Sequence, residues 1–205
     1  MNGPGRRSSA LVPLVAAAGL DAGTSGVAGS EPEHRYEAER TIQSLATTLA
    51  RLHSVPVPDE LRADPELVLG PAELVERAQH GTNEPGPAYR HLSRDRLVEV
   101  LRDGTPVAPD AGSLVLSHGR PTFAALRLDG PTPIGFADWA DVALADPHLD
   151  LAVAARDLVA RFGPAPIHAF FEHYGAALDD PAARPDPVRL DWYLLADELA
   201  HELTG

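Results

Sequence analysis

The chain contains neither cysteine nor lysine, and each absence excludes a kind of chemistry. Without cysteine there is no disulfide bridge and no thiolate metal site. Because all 17 basic residues are arginine, the chain cannot supply the strand lysine that kinase-like enzymes place on the phosphates of ATP. The sequence also lacks an apolar run of the ~18 residues needed for a membrane helix, so no membrane span is predicted.

Basic residues are also few in number. The 17 arginines stand against 30 acidic residues, and the net charge of −13 disfavours nucleic acid and anionic membranes as partners. An acidic surface suits a cationic small molecule, although solubility alone is the commoner reason for such a surface. At 205 residues the chain suits one domain with a sizeable core. Nothing in the sequence indicates an oligomeric state.

Helices are predicted where apolar residues recur at helical spacing or where an Asp cap precedes a proline. The predicted helices are residues 31–53, one beginning at Pro71, residues 89–101, and three opening at Asp146-Pro147, at Pro166 and at Asp186-Pro187. His53 closes the first of these. It is interpreted as a residue favoured by the helix dipole at a C-terminal turn, and not as a catalyst.

Residues 114–150 carry the motifs that indicate a function. A short buried strand leads into a polar loop that begins with His118-Gly119. Two apolar runs then flank Asp129-Gly130, which is the strongest short-range signal for a β-hairpin. Asp138-Trp139 follows directly after the second hairpin strand.

This order of motifs resembles the C-terminal lobe of the aminoglycoside phosphotransferases, relatives of the protein kinases. Their catalytic loop reads H-G-D-x-x-x-x-N, and it is followed by a hairpin, by G-F-I-D-W-G and by A-D-x-x-x-D-L-A. The matching residues are His118-Gly119, Gly135-Phe136, Asp138-Trp139, Ala145-Asp146 and Asp150-Leu151-Ala152. The resemblance implies an α+β, predominantly helical fold: a protein-kinase-like C-terminal lobe with a small β-hairpin and a largely absent N-terminal lobe.

Two residues depart from the family pattern at the positions that perform the chemistry. Arg120 stands where the family has its catalytic Asp, and Ala125 stands where it has its metal-binding Asn. The sequence therefore predicts an aminoglycoside phosphotransferase-like protein that is catalytically inactive, either a pseudo-enzyme or a truncated remnant. ATP and Mg²⁺ are implied by the resemblance only, and no cofactor is expected.

Two alternatives stay open. One is an ATP-dependent phosphotransferase that acts on a hydroxyl of a cationic small molecule such as an aminoglycoside, through an atypical arrangement or with a partner that supplies the missing lobe. The other is a non-catalytic protein that binds a small molecule in an acidic cleft. A cytoplasmic location is expected in each case.

The resemblance also divides the chain. Residues 36–205 are predicted to form the phosphotransferase-like C-terminal lobe. Residues 1–35 are predicted to be a partly disordered N-terminal remnant, made of the last strand of the other lobe and the hinge. A secretory signal is the less favoured interpretation of Arg6-Arg7 before an apolar stretch.

Individual residues take the following roles by resemblance. Asp138 is a residual metal ligand, and Arg120 is expected to occupy the place of the missing metal and to pair with it. Asp197 and Glu198 resemble a pair that contributes to an acidic aminoglycoside site. Asp150 is expected to be structural, accepting hydrogen bonds from the backbone of the degenerate loop.

Overall fold

The computed structural model of the protein describes residues 4–21, 23, 27–28, 35–82, 85–86, 88–179 and 185–200. The helices are α1 Pro4–Ala17, α2 Arg35–His53, α3 Asp59–Arg62, α4 Pro71–His80, α5 Arg94–Asp103, α6 His148–Phe162, α7 Ile167–Ala177 and α8 Pro187–Ala200. The strands are β1 Val27–Ala28, β2 Val115–Ser117, β3 Leu126–Asp129, β4 Thr132–Phe136 and β5 Ala143–Ala145. In the described part of the chain, no helix combines the length and apolar character needed to cross a membrane.

The strands form two small antiparallel sheets. The predicted hairpin is present as β3 and β4, and β1 pairs with the outer edge of β3. The second sheet pairs β2 with β5, with Val115 opposite Ala145. Strand β5 was not predicted, because three apolar residues are too short a run to show an alternating pattern. Its pairing places the loop after β2 beside the segment that leads into α6.

Helix α6 lies at the centre of the molecule. Its residues 149–155 are all buried. Leu151 and Leu158 belong to a core shared with α1, α2, the hairpin and α7, whereas Leu149 and Ala152 belong to a core shared with α4, α5 and α8. A helix that is apolar on all sides is expected in such a position. A polar side chain within residues 149–155, such as that of Asp150, is therefore held inside the protein.

The N-terminal segment differs from its prediction. Residues 4–17 form a helix, not the last strand of a second lobe, because Leu11 and Val15 recur at helical spacing and are both fully buried in the first core. Arg7 is only 3% exposed and donates to both carboxylate oxygens of Glu73, at 3.1 and 2.6 Å. This part of the segment belongs to the same core as residues 36–200. The remainder of the predicted remnant, at residues 1–3, 22, 24–26 and 29–34, lies outside the described residues.

Helix α5 begins five residues later than predicted. Ser93 is its N-cap, and its side chain accepts a hydrogen bond from the backbone N–H of Arg96 at 3.3 Å. Leu97 is buried as predicted, but Leu92 and Val100, which were expected to point inward, are 37% and 41% exposed. Leu92 precedes the helix, and the buried face of α5 consists of Leu97, Val98 and Leu101, with Val98 in the place expected for Val100.

Candidate functional site

One buried carboxylate holds the loop that follows β2. Asp150 of α6 is 0% exposed. Its Oδ1 accepts from the Gly119 N–H and the Ser117 hydroxyl, and its Oδ2 accepts from the His118 N–H, each at 2.8 Å. The predicted contacts of Asp150 with the loop backbone are present. A carboxylate that receives several charge-assisted hydrogen bonds fixes the path of the loop.

His53 is a further partner of Asp150, although its position at the end of α2 suggested no such role. Its Nε2 lies 3.1 Å from Asp150 Oδ2, and its Nδ1 lies 2.7 Å from the hydroxyl of Tyr174. A neutral imidazole satisfies both contacts by donating at Nε2 and accepting from the tyrosine. The sequence carries no signal for these contacts, because the partners are 97 and 121 residues away.

The same contacts determine the ionisation of Asp150. Burial by itself raises the pKa of this carboxyl. The hydrogen bond from His53, the electrostatic interactions with the rings of His53 and His118, and the hydrogen bond from Ser117 outweigh burial and hold the pKa of Asp150 below its usual range. Asp150 therefore stays ionised in the interior.

His118 joins the loop to the segment that carries Asp138. Its ring is fully buried, with Nε2 3.0 Å from the carbonyl oxygen of Ala137 and Nδ1 accepting from the Arg120 N–H at 3.2 Å. The ring packs between Phe136 and Trp139, at centroid distances of 5.0 and 4.5 Å. Burial lowers the pKa of His118. The geometry thus describes a neutral, structural histidine.

A second carboxylate of α6 holds the far end of the loop. Asp157 accepts a hydrogen bond from the Phe123 N–H at 2.8 Å. Asp150 and Asp157 are seven residues apart, a spacing that places both on one face of a helix. That spacing is present in the sequence as a signal, although no role was predicted for Asp157.

The metal-binding position of the family is recognisable, but its ligands are not all present. The Ala137 N–H donates to the Ala125 carbonyl at 2.9 Å, which brings position 125 beside Asp138. Ala125 offers only a buried methyl group there, at 8% exposure. Among the described residues, no group of three His, Cys, Asp or Glu side chains could hold a metal ion. This donor set does not fit Mg²⁺, which needs several oxygen ligands in octahedral geometry.

The predicted ion pair between Arg120 and Asp138 is not formed, and that prediction is wrong. Both residues are described, and no Arg120 nitrogen lies within 4.0 Å of an Asp138 oxygen. Asp138 is exposed, with a left-handed backbone at φ 68°. Because water already stabilises this exposed carboxylate, an ion pair would add little to compensate for ordering the arginine side chain.

A small pocket joins the degenerate loop to one of the predicted substrate acids. Its volume is about 130 Å³, and its lining includes Gly119, Asp141, Arg77 and Asp197. Gly119 has a φ of 84°, and a Cβ built there would lie 2.5 Å from the Asp141 backbone oxygen. Only glycine fits this approach. The structure thus brings the degenerate loop and Asp197 to the same pocket.

The two predicted substrate acids face different surroundings. Asp197 is 1% exposed and forms an ion pair with Arg156 of α6. Glu198 accepts from the Gly86 N–H at 2.6 Å and lies 3.5 Å from the same arginine, lining a second and larger groove. A buried, paired carboxylate is poorly placed to meet a ligand directly, so Glu198 is the accessible member of the pair. Arg156 was not identified from the sequence.

Two solved structures have a similar fold. APH(3'')-Id from Streptomyces rimosus superposes with a TM-score of 0.67 at 22% identity, covering 86% of this chain and 67% of that chain. An aminoglycoside-3'-phosphotransferase of type VIII superposes with a TM-score of 0.69 at 21% identity, covering 94% and 78%. The predicted α+β, protein-kinase-like fold is confirmed.

Sequence comparisons then show the family. The model of the Phosphotransferase enzyme family (APH) matches residues 10–192. The aminoglycoside 3'-phosphotransferase of Streptomyces fradiae is 30% identical over 181 residues, covering 84% of this chain and 64% of the relative. The Escherichia coli aminoglycoside 3'-phosphotransferase is 26% identical over 166 residues, covering 81% and 58%. The chain spans less than two thirds of the length of these two relatives, and it belongs to the phosphotransferase enzyme family.

Proposed function

We propose that the chain is a catalytically inactive member of this family that binds a cationic small molecule. The supporting observation is that the loop after β2 is firmly held in place, while the residues that would perform the chemistry are absent from it. Asp150 and Asp157 hold both ends of the loop, yet Arg120 and Ala125 occupy the positions of the base and the second metal ligand.

Phosphoryl transfer requires a base for the hydroxyl, metal ligands and a cation on the phosphates. Arg120 stays protonated at any physiological pH and cannot accept a proton. Asp138 alone is a poor site for Mg²⁺, and no lysine is present to bind the phosphates. Residues that act as a unit contribute non-additively, so the loss of any one of them removes most of the rate enhancement. We therefore expect no requirement for ATP or Mg²⁺.

The binding half of the proposal is supported by charge. The chain carries a net charge of −13, and Glu198 and Asp191 line the groove beside α8. APH(3'')-Id has been solved with ADP and streptomycin, a cationic aminoglycoside. An acidic groove without catalytic groups suits capture of a cation without turnover.

Transfer of radiolabel from ATP to streptomycin or kanamycin tests the inactivity. The Streptomyces fradiae relative serves as the positive control. We expect no transfer above background, and no recovery in the Arg120→Asp, Ala125→Asn double variant, because the phosphates still lack a lysine. Transfer that disappears in Asp138→Ala but persists in the exposed control Asp95→Ala would overturn the inactivity and favour the ATP-dependent alternative.

Binding is tested separately by thermal shift and calorimetry with the same cations. Stabilisation by a cation without ATP is the expected result, and a protein that binds neither these cations nor the smaller cations titrated below would refute the binding half alone. Millimolar ATP with Mg²⁺ should leave the melting temperature unchanged. An increase of several degrees would contradict the proposed loss of nucleotide binding.

A further inference from the structure

A large groove lies between α6, α7 and α8. Its volume is about 640 Å³, within the range of pockets that bind small molecules. Its walls are mainly apolar, and Val159, Ile167, Leu190 and Leu194 contribute the larger side chains. Val159 is 39% exposed, so part of this wall is open to solvent. A hydrophobic wall of this kind favours a ligand with an apolar body.

The polar groups are concentrated on one side of the groove. Glu198 and Asp191 supply two carboxylates, and Arg156 supplies one guanidinium. Arg156 is shared, because it also pairs with the buried Asp197. Across these four side chains three negative charges stand against one positive charge, and the groove therefore attracts a cation.

Tyr89 completes the same side of the groove. Burial raises its pKa, and the charges of Glu198 and Asp191 raise it further against the opposing effect of Arg156. Both carboxylates are therefore close enough to act on the phenol, in agreement with the count of charges. The ring face of a tyrosine also attracts an ammonium group.

We propose that this groove binds an amphiphilic monocation, meaning one ammonium group attached to a compact apolar body. The ammonium would lie against Glu198 and Tyr89, and the apolar body against Val159, Leu190 and Leu194. A polycationic, polyhydroxylated sugar would need several separate carboxylates and many hydrogen-bond partners. This wall offers methyl groups instead. The inference rests on the binding half of the proposed function and not on the inactivity.

Isothermal titration with four probes tests the ligand class. (1-Naphthylmethyl)trimethylammonium has both features, tetramethylammonium lacks the apolar body, 1-naphthalenemethanol lacks the charge, and kanamycin is the polycation. We expect the first probe to bind at least about tenfold more tightly than each of the others, which corresponds to ~1.4 kcal/mol. Kanamycin binding more tightly than the naphthyl cation would overturn the ligand class and leave the binding function standing. If no probe binds, both fail.

Two variants test the location. Glu198→Gln keeps an oxygen that can accept from Gly86 N–H but removes the charge, and Val159→Asp places a charge in the apolar wall. Each substitution should weaken the binding of the naphthyl cation about tenfold. Val100→Asp is the matched control, because Val100 is 41% exposed on α5 and lies outside the groove. Binding that resists both groove substitutions, or that Val100→Asp weakens equally, would overturn the site.

Discussion

Replacing Asp150 by alanine removes the acceptor that four donors share. The backbone N–H of His118 would lose its partner in a fully buried site, as would Ser117 and His53, and the Gly119 N–H would keep only its longer bond of 3.2 Å to the Ser117 hydroxyl. A buried donor without a partner costs about 1–3 kcal/mol, so the His118 N–H alone costs about 1–3 kcal/mol and the other donors add to this. The variant no longer buries a charge, and water can enter the space that the side chain leaves. Both effects offset part of the cost of the lost hydrogen bonds. We expect Asp150→Ala to lower the free energy of unfolding by about 2–4 kcal/mol.

Urea denaturation measures this loss, provided that the m-value is unchanged. Asp95→Ala, the same substitution at an exposed first-turn position of α5, is the matched control and should cost less than about 1 kcal/mol. Equal losses for the two variants would refute the structural role of Asp150.

The effect of Asp150 should also depend on pH in a definite direction. Its folded-state pKa lies below the ordinary value, so its contribution to stability is fully present above the unfolded-state pKa of about 3.9. That contribution is lost as the pH falls through the folded-state pKa. The difference in stability between the wild type and Asp150→Ala should therefore shrink below about pH 4. A difference that stays constant between pH 7 and pH 3 would contradict the ionised, hydrogen-bonded carboxylate.

Three other substitutions test separate features. Arg7→Ala should lower the free energy of unfolding, measured in urea, by about 3 kcal/mol because it leaves a buried ion-pair site incomplete. The control Arg6→Ala, at a side chain 61% exposed, should cost less than about 1 kcal/mol. Equal costs would mean that α1 is not part of the core. Asp138→Gly should raise the free energy of unfolding by about 1 kcal/mol because glycine relieves the φ of 68°, and a loss of stability would show that the aspartate makes compensating contacts. Burial lowers the folded-state pKa of His118, so the wild type should lose stability as the pH falls below about 6.5, where the unfolded chain takes up the proton first. His118→Gln should make the stability depend less on pH over this range. An unchanged slope of stability against pH would contradict the buried, neutral ring of His118.

Local features of the fold were predictable because the residues that determine them are neighbours. Asp129-Gly130 between apolar runs specified the hairpin, with Gly130 at φ 57°. Asp186 before Pro187 specified the start of α8, and its side chain accepts from the Val188 N–H at 2.8 Å. Such signals act over a few residues and need no knowledge of the rest of the chain.

The residues alone also specify where the chain departs from the chemical groups of the family pattern. Arginine at position 120, alanine at position 125 and the lack of lysine are properties of the residues, and no fold can change them. The packing partners of the N-terminal helix were not determined in this way. The strand and hinge expected there relied on resemblance, while the buried contacts of Leu11 and of Arg7 with Glu73 depend on residues far along the chain.

The environment of each charged group of the site depends on contacts between elements that are distant in the sequence. Asp150 and Asp138 are the same residue type, yet one is fully buried among four donors and the other is exposed. Asp197 and Glu198 are adjacent in sequence, yet Arg156 holds the first inside the protein while the second lines a groove. The physical reason is that the free energy of a charge depends on its hydration and on the partners around it. Those partners lie on other elements, and folding alone brings them within reach.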